Sequence, residues 1–375
     1  MTNIKTIGIV GGGQLGLMMV PAIHKFGFRA AVLDPSPICP CTGIADIHIV
    51  NGFDNPAGFA ALAAASDVIT YEFEHISVPL LAELEKRGAK IFPSVASLKI
   101  IQDKLWQKTF LEKSGILIPE FRAVNTISEI RAYWDEWQKP FMIKCRRGGY
   151  DGKGIWKISN REDIDAIPIK KDALMIESLV DFDKEISVIA TRAQNGECVI
   201  YPVAENIHKN SILDINFAPA DIDPCIHSAA KYTAEKVMEC FAGVGTFCTE
   251  MFVSKTGQVL VNEVAPRVHN SGHWTIEGAE TSQFENHIRA VAGLPLGATK
   301  MTAGKAVMKN IIGEENGRAD YDGLADANSA GWSVHIYGKP DVKVGRKMGH
   351  ITKTGAMDEP LEQMARMLNV RAMAR

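Results

Sequence analysis

Between the apolar runs Pro140 to Ile143 and Ile155 to Ile158 lies Lys144-Cys145-Arg146-Arg147-Gly148-Gly149-Tyr150-Asp151-Gly152-Lys153-Gly154, a basic loop dense in glycine. Glycines let a backbone turn tightly against a ligand, and successive amide N–H groups in such turns form an anion-binding concavity. Lys144 and Lys153 add point charges, so the chemistry predicted is the grip of a phosphate chain. Tyr150 and Asp151 do not help an anion by charge, which argues for a second ligand facing the first. A glycine-rich hairpin with solvated charges has the same local composition, and the loop alone does not separate the two.

A second group lies near Glu250 and Glu263, in the apolar runs Thr246 to Val253 and Val259 to Glu263, joined by Ser254-Lys255-Thr256-Gly257. Strands of an antiparallel hairpin lie about 5 Å apart, so two same-face carboxylates can share a hard cation. With the neutral oxygen of Asn262 beside them, they leave the room for phosphate oxygens that Mg2+ prefers. Next comes Ala265-Pro266-Arg267-Val268-His269-Asn270-Ser271-Gly272-His273-Trp274. Arg267 offers a fork for an oxyanion, and His269, Asn270, Ser271 and His273 can orient a small polar substrate. A helix start capped by Asn270 or Ser271 fits the same residues. Glu177-Ser178-Leu179-Val180, closing an apolar run, suits an adenine edge and ribose, a pattern also common in structural strands. His208, in Glu205-Asn206-Ile207-His208, carries little weight alone.

The elements that must position these groups fall into three regions. Strand Thr6 to Val10, the turn Gly11 to Gly16, a helix from Leu17 to Phe26 interrupted at Pro21, and strand Arg29 to Leu33 ending at Asp34 match a dinucleotide-binding fingerprint. Strands at Ile47 to Val50, Val68 to Tyr71 and Lys90 to Phe92 alternate with helices at Pro56 to Ala65 and Val78 to Arg87, a small doubly wound α/β domain. After a helix from Lys99 to Lys113 the pattern becomes α+β. Strands are expected at Phe141 to Lys144, Ile155 to Ile158, Leu174 to Glu177, Lys184 to Ala190, Val199 to Val203 and the two glutamate runs, with a helix at Ile226 to Phe241. A strand-rich tail follows at Gly304 to Ile311, Trp332 to Tyr337 and Arg346 to Ile351.

Composition narrows the classes. A chain of 375 residues suits two or three domains, and a net charge of −3 creates no broad field for nucleic acid or an anionic membrane. No apolar stretch reaches the roughly 18 to 20 residues of a bilayer span, and the amino terminus lacks a signal-peptide pattern. A cytoplasmic location is expected. Seven scattered cysteines form no disulfide framework; Cys39-Pro40-Cys41 reads as a reduced loop, with metal binding the lesser alternative.

In this order the residues resemble the ATP-grasp enzymes, and among them the ATP-dependent carboxylases of aminoimidazole ribonucleotide in purine biosynthesis. The likeness is carried by Gly11 to Gly16, Tyr71-Glu72-Phe73-Glu74-His75, Gly148 to Gly154, Asn262 to Trp274, Ser282-Gln283-Phe284-Glu285-Asn286-His287 and Gly345-Arg346-Lys347-Met348-Gly349-His350. It implies a Rossmann-like pre-ATP-grasp domain over 1–98, a two-lobed ATP-grasp domain over 99–297 and a small β-rich domain over 298–375. By this resemblance Lys104 and Lys144 contact phosphates, and Gly149, Tyr150, Asp151, Gly152, Lys153, Gly154 and Ile155 form a flap. Glu177, Ser178, Leu179 and Val180 hold adenine, Glu185 the ribose, and His208, Asn262 and Glu263 complete the ATP site. Glu250 and Glu263 would hold Mg2+, with Mn2+ an alternative. Tyr150, Asp151, Arg267, His273, Lys339 and Arg346 would be catalytic, with Gln14, Glu72, Asn270 and Ser271 on the acceptor. Where many relatives place arginine this chain has Lys104, which keeps the charge without the fork.

The implied reaction joins bicarbonate to the γ-phosphate of ATP, and the resulting carboxyphosphate delivers CO2 to the amine of 5-aminoimidazole ribonucleotide, releasing ADP and phosphate. A homodimer is expected, with a mutase as its pathway neighbour and no nucleic-acid or membrane partner. Three other readings stand beside it: an NAD-dependent oxidoreductase, on the fingerprint alone; a non-catalytic nucleotide-binding subunit; and another ATP-grasp enzyme, a formate-using glycinamide ribonucleotide transformylase or a biotin carboxylase.

Overall fold

The computed structural model describes residues 4–149, 154–167 and 174–375. The first region is a four-stranded parallel sheet ordered Ile47–Val50, Arg29–Asp34, Thr6–Val10, Val68–Tyr71. Thr6–Val10 is buried along its whole length, as a parallel strand covered on both faces must be. The helix after it, Gln14–Lys25, runs unbroken through Pro21, whose ring lies on the exposed side while Met19, Val20 and Ile23 are buried. Lys90 to Phe92 does not form a full strand and reduces to a bridge from Ile91 to Ile69.

The expected helix Lys99 to Lys113 is two helices, Val95–Ile101 and Lys104–Lys113. The break is made by Asp103, whose carboxylate accepts from the amides of Leu105 (3.1 Å) and Trp106 (3.3 Å) and so caps the second helix. It also accepts from Arg146 (2.8 Å) and Arg147 (3.3 Å), tying the start of the glycine loop to this cap. Phe141–Cys145 and Ile155–Ile158 flank that loop in an antiparallel four-stranded sheet with Leu174–Ser178 and Phe121–Val124.

A nine-stranded sheet carries the second lobe, and the strand-rich tail is part of it. Lys305–Ile312 pairs with Ile212–Ala218, Lys347–Gly355 with Lys305–Ile312, and Ser333–Ile336 with Lys347–Gly355. The polar hairpin Ala204–Lys209 and Ile212–Ala218 escapes a hydrophobic-period reading, although Asn210 and Ser211, both at positive φ, make the turn it needs.

Helix Gln283–Ala292 joins the two large units, with Phe284, Ile288 and Val291 packed on Ile7, Met19 and Ile23. His287 within it hydrogen-bonds Thr70 Oγ1 (2.8 Å) through Nε2 and accepts from the Thr246 amide (3.0 Å) at Nδ1. Burial pushes its pKa down to about 3, so the joint is made by a neutral ring.

The glycine turn is shaped by a carboxylate of the chain itself. Glu72 accepts from the amides of Gly13 (2.5 Å) and Gly16 (2.8 Å), filling the anion position at the N-terminus of Gln14–Lys25, and Asp34 accepts from Gly12 (2.9 Å). This answers the dinucleotide reading, because the amides that would cradle a pyrophosphate are already engaged. A Cβ at Gly13 would run into the Glu72 carboxylate. Gly13→Ala is therefore predicted to lower stability by roughly 2 kcal/mol, read by urea denaturation.

Candidate active site

Strand register assembles the acidic part. Glu263 lies opposite Glu250 across the hairpin Gly245–Ser254 and Val259–Ala265, and Glu250 lies opposite Ser187 of Phe182–Arg192. Glu185, two residues from Ser187, shares that face and hydrogen-bonds Nδ1 of His208. Burial opposes a charged His208, but the Glu185 hydrogen bond and charge outweigh it and raise the pKa. Burial raises the pKa of Glu250; His208 partly offsets this, while Glu263 and Glu185 push it up further. Two carboxylates opposed across one hairpin are the arrangement that could share a cation. Among the described residues no three or more His, Cys, Asp or Glu side chains form a metal cluster. A magnesium site that uses two carboxylates and takes its other ligands from phosphate and water needs none.

Lysines line the adjoining side. Lys104, first residue of its helix because Asp103 caps it, reaches Glu263 at 2.5 Å. Glu177 is shared: Oε1 meets Lys144 at 2.5 Å and Oε2 meets Lys108 at 2.8 Å, with Glu177 and Lys108 each 3% exposed. Lys144 also donates to Asn262 (3.3 Å) and Lys108 to the Val261 carbonyl (3.2 Å). Burial would raise the Glu177 pKa, yet the two lysines hold it down at about 2. Burial outweighs Glu177 at Lys108 and lowers its pKa to about 8. Lys108 was not singled out in the sequence; its signal is the one-turn spacing from Lys104, which puts both on one helix face.

The wall after the hairpin is built by Arg267 and His269. Arg267 Nη2 meets Glu74 at 2.9 Å and Nη1 donates to the Val268 carbonyl (3.0 Å), while the buried Nε has no hydrogen-bond partner. His269 is clamped at its backbone by Gln283 (2.9 and 2.6 Å), and its Nδ1 lies 2.9 Å from Ser271 Oγ and accepts from the Ser271 amide. That assigns the proton to Nε2, 3.9 Å from Glu250.

Three expected site residues, His273 as catalytic and Asn270 and Ser271 as acceptor contacts, are turned inward. His273 is fully buried among Phe284, Tyr337 and His350, so it packs the wall and does not line the opening. Asn270 exchanges hydrogen bonds of 3.0 and 2.8 Å with Asn310, leaving its amide engaged. Ser271, also fully buried, orients His269. Lys339 donates to Gln14 (2.7 Å), bridging the last region to the first, and Arg346 donates to the Asp341 carbonyl (2.8 Å). Lys347, not Arg346, is the neighbour whose charge acts on Glu250, His208, His269 and His273. Of the residues expected to form a flap, Gly149, Gly154 and Ile155 are described, with Ile155 opening strand Ile155–Ile158; Tyr150, Asp151, Gly152 and Lys153 lie outside the described residues. Leu179 is 42% exposed beyond Glu177, with Ser178 and Val180 on either side.

Lys104, Lys108 and Lys144 lie beside the opposed Glu250 and Glu263, and the family models name the class. Residues 109–284 match the ATP-grasp domain, 4–102 the ribonucleotide synthetase preATP-grasp domain, and 306–364 the phosphoribosylaminoimidazole carboxylase C-terminal domain. The chain is 42% identical to the N5-carboxyaminoimidazole ribonucleotide synthase of Brucella melitensis, over 94% of this chain and 98% of that one. The structure of N5-carboxyaminoimidazole ribonucleotide synthetase from Thermotoga maritima aligns with a TM-score of 0.89 at 40% identity, covering 99% of this chain and all of that one. The Aspergillus clavatus N5-carboxyaminoimidazole synthase in complex with ADP and 5-aminoimidazole ribonucleotide aligns with a TM-score of 0.88 at 31% identity, covering 98% of each. The chain belongs to the N5-carboxyaminoimidazole ribonucleotide synthase family of ATP-grasp ligases.

The shared carboxylate makes a pH prediction. An unfolded lysine near 10.5 binds more protons than Lys108 at about 8, so this group opposes folding below pH 8 and the penalty fades as pH rises toward 10.5. For the site the sign is opposite: once Lys108 is neutral, Glu177 leans on Lys144 alone and holds it from the phosphates. The KM for ATP is expected to rise as pH passes about 8. Lys108→Met should raise it roughly tenfold, or about 1.4 kcal/mol, at pH 7 and remove that inflection in steady-state kinetics.

Proposed function

We propose that this protein carboxylates 5-aminoimidazole ribonucleotide with ATP and bicarbonate, forming N5-carboxyaminoimidazole ribonucleotide, ADP and phosphate. The observation that carries the reading is the convergence of Lys104, Lys108, Lys144 and Arg267 on the rim of the Glu250–Glu263 hairpin, where each already holds a carboxylate or backbone oxygen. Phosphate oxygens are stronger claimants for those donors than single carboxylates.

A bicarbonate oxygen attacks the γ-phosphorus as the bond to the β-phosphate oxygen breaks, giving carboxyphosphate and ADP. Lys104 and Lys144 take the charge of the phosphates, and the unpartnered Nε–H of Arg267 donates to the bicarbonate or carboxyphosphate oxygen. Carboxyphosphate then separates into CO2 and phosphate, and the acceptor amine attacks CO2 and gives up a proton. By the family likeness Asp151 orients that amine and Tyr150 serves the acceptor, and water has to be kept out while carboxyphosphate exists. Lys339 and Arg346 hold the ribose phosphate at the side where Gln14 and Glu72 belong to the first region. Mg2+, held by Glu250 and Glu263, neutralises phosphate charge when bound.

The reading includes a homodimer in the cytoplasm whose product goes to a mutase, as the family likeness implies. Among the described residues no helix is long and apolar enough to cross a membrane.

ADP release should require aminoimidazole ribonucleotide, bicarbonate and ATP together for full rate, measured by omitting each in turn. Stimulation by glycinamide ribonucleotide and formate instead would overturn the assignment. Glu250→Gln is expected to lower kcat/KM roughly 100-fold and to raise the magnesium concentration for half-maximal rate.

A further inference from the structure

Gln102, Asp103 and Lys104 lie where helix Val95–Ile101 ends and helix Lys104–Lys113 begins, and their side chains reach three different parts of the molecule. Gln102 Nε2 donates to the carbonyls of Glu74 (2.6 Å) and Ile76 (2.7 Å) in the first region. Lys104 meets Glu263 of the glutamate hairpin. Between them Asp103 takes the base of the glycine loop, at Arg146 and Arg147, and the proposed reaction gives it no task.

Asp103 is 3% exposed, and both of its carboxylate oxygens are engaged. Oδ1 accepts from the amides of Leu105 and Trp106 and from Arg146 Nε (3.0 Å), while Oδ2 accepts from Arg146 Nη2 (2.8 Å) and Arg147 Nε (3.3 Å). Arg146 is thus gripped through both prongs of its fork, and the Arg147 guanidinium also lies over the Trp106 ring, 5.4 Å from its centroid. A backbone bond closes the joint, because the Lys104 amide donates to the Arg146 carbonyl (2.8 Å). Lys104 and the chain just beyond Lys144 are therefore fixed to each other. Burial opposes a charged Asp103, but Arg146 outweighs it and keeps the carboxyl below its usual range.

We propose that Asp103 is a positioning residue for the phosphates of ATP: one buried carboxylate sets the start of the Lys104 helix and the base of the glycine loop in a fixed relation, so that Lys104 and Lys144 meet the phosphate chain as a unit. This rests on the reading of Lys104 and Lys144 as phosphate contacts. Its two tasks, cap and joint, separate by chemistry. An asparagine keeps an oxygen for the Leu105 and Trp106 amides and caps a helix about as well, but its NH2 would face Arg146 Nη2 and Arg147 Nε donor to donor. Asp103→Asn therefore breaks the joint and spares the cap, whereas Asp103→Ala loses both.

The test is calorimetric binding of a non-hydrolysable ATP analogue with Mg2+, and of AMP, to wild type, Asp103→Asn, Asp103→Ala and Arg146→Lys, with Tm recorded for each. Asp103→Asn is expected to bind the analogue roughly tenfold more weakly and AMP within about twofold of wild type, because the residues read as holding adenine and ribose are untouched. Asp103→Ala should match it in analogue affinity and show a lower Tm. Arg146→Lys keeps the charge without the fork and should lose about threefold; combined with Asp103→Asn it should cost no more than Asp103→Asn alone. Unchanged analogue affinity in Asp103→Asn, or in Arg146→Lys should the Asp103 variants not fold, would overturn the inference. So would equal weakening of analogue and AMP, or a wild type that binds the analogue no better than AMP. Neither acceptor nor bicarbonate is present, so the result holds even if wild type carboxylates nothing, and a confirmed carboxylation does not rescue a failed one.

Discussion

Charge removed from water must be met by charge, and this site is organised around that demand. Glu177 is buried with a lysine on each carboxylate oxygen, Glu263 is met by Lys104, and Glu74 by Arg267. An isolated buried ion costs several kcal/mol, so Glu177 and Lys108, each 3% exposed, cannot be placed without their partners. The pairs come from different elements, so forming the site and closing the lobes on each other are one event. The arrangement also suits a polyanionic ligand, because each cation held by a carboxylate in the free protein can pass to a phosphate without new charge being buried. Glu177 has a second counter-ion in Lys108 beside Lys144.

The first region follows the same rule. The N-terminus of helix Gln14–Lys25 is a ready anion site, and the chain fills it with Glu72. The glycines of the turn admit that carboxylate. A motif that serves dinucleotides elsewhere is here an internal brace, which places the strand end and the segment bearing Glu74. Helix Gln283–Ala292 completes the frame, its neutral His287 tying Thr70 of one sheet to Thr246 of the other.

Much of the architecture was legible in the sequence. Four strands of the parallel sheet and the glutamate hairpin stand where periodicity and turn residues put them, because each is a short apolar run bounded by strong turn formers. The reading failed where local pattern and tertiary role diverge. Strands Ala204–Lys209 and Ile212–Ala218 carry Asn206 and Asn216, whose hydrogen-bonded side chains lie on an inner face, so no apolar period marks them. The single helix expected over Lys99 to Lys113 breaks because Asp103 finds two amides and two arginines at once, and the two arginines lie more than 40 positions away, beyond the reach of a helix-propensity argument.

By itself the sequence determined the family, the glutamate hairpin and the cationic residue types, since these are matters of spacing and turn chemistry within a few residues. Only the tertiary structure decided which of the dense polar run faces the cleft. His269 and Arg267 do, while His273, Asn270 and Ser271 serve the wall behind them. Only it could assign Glu74 to Arg267 and Lys108 to Glu177, pairs separated by 193 and 69 positions if their residue numbers are subtracted. The physical reason is that a buried charge selects its partner by proximity in space, and no local pattern along the chain records that choice.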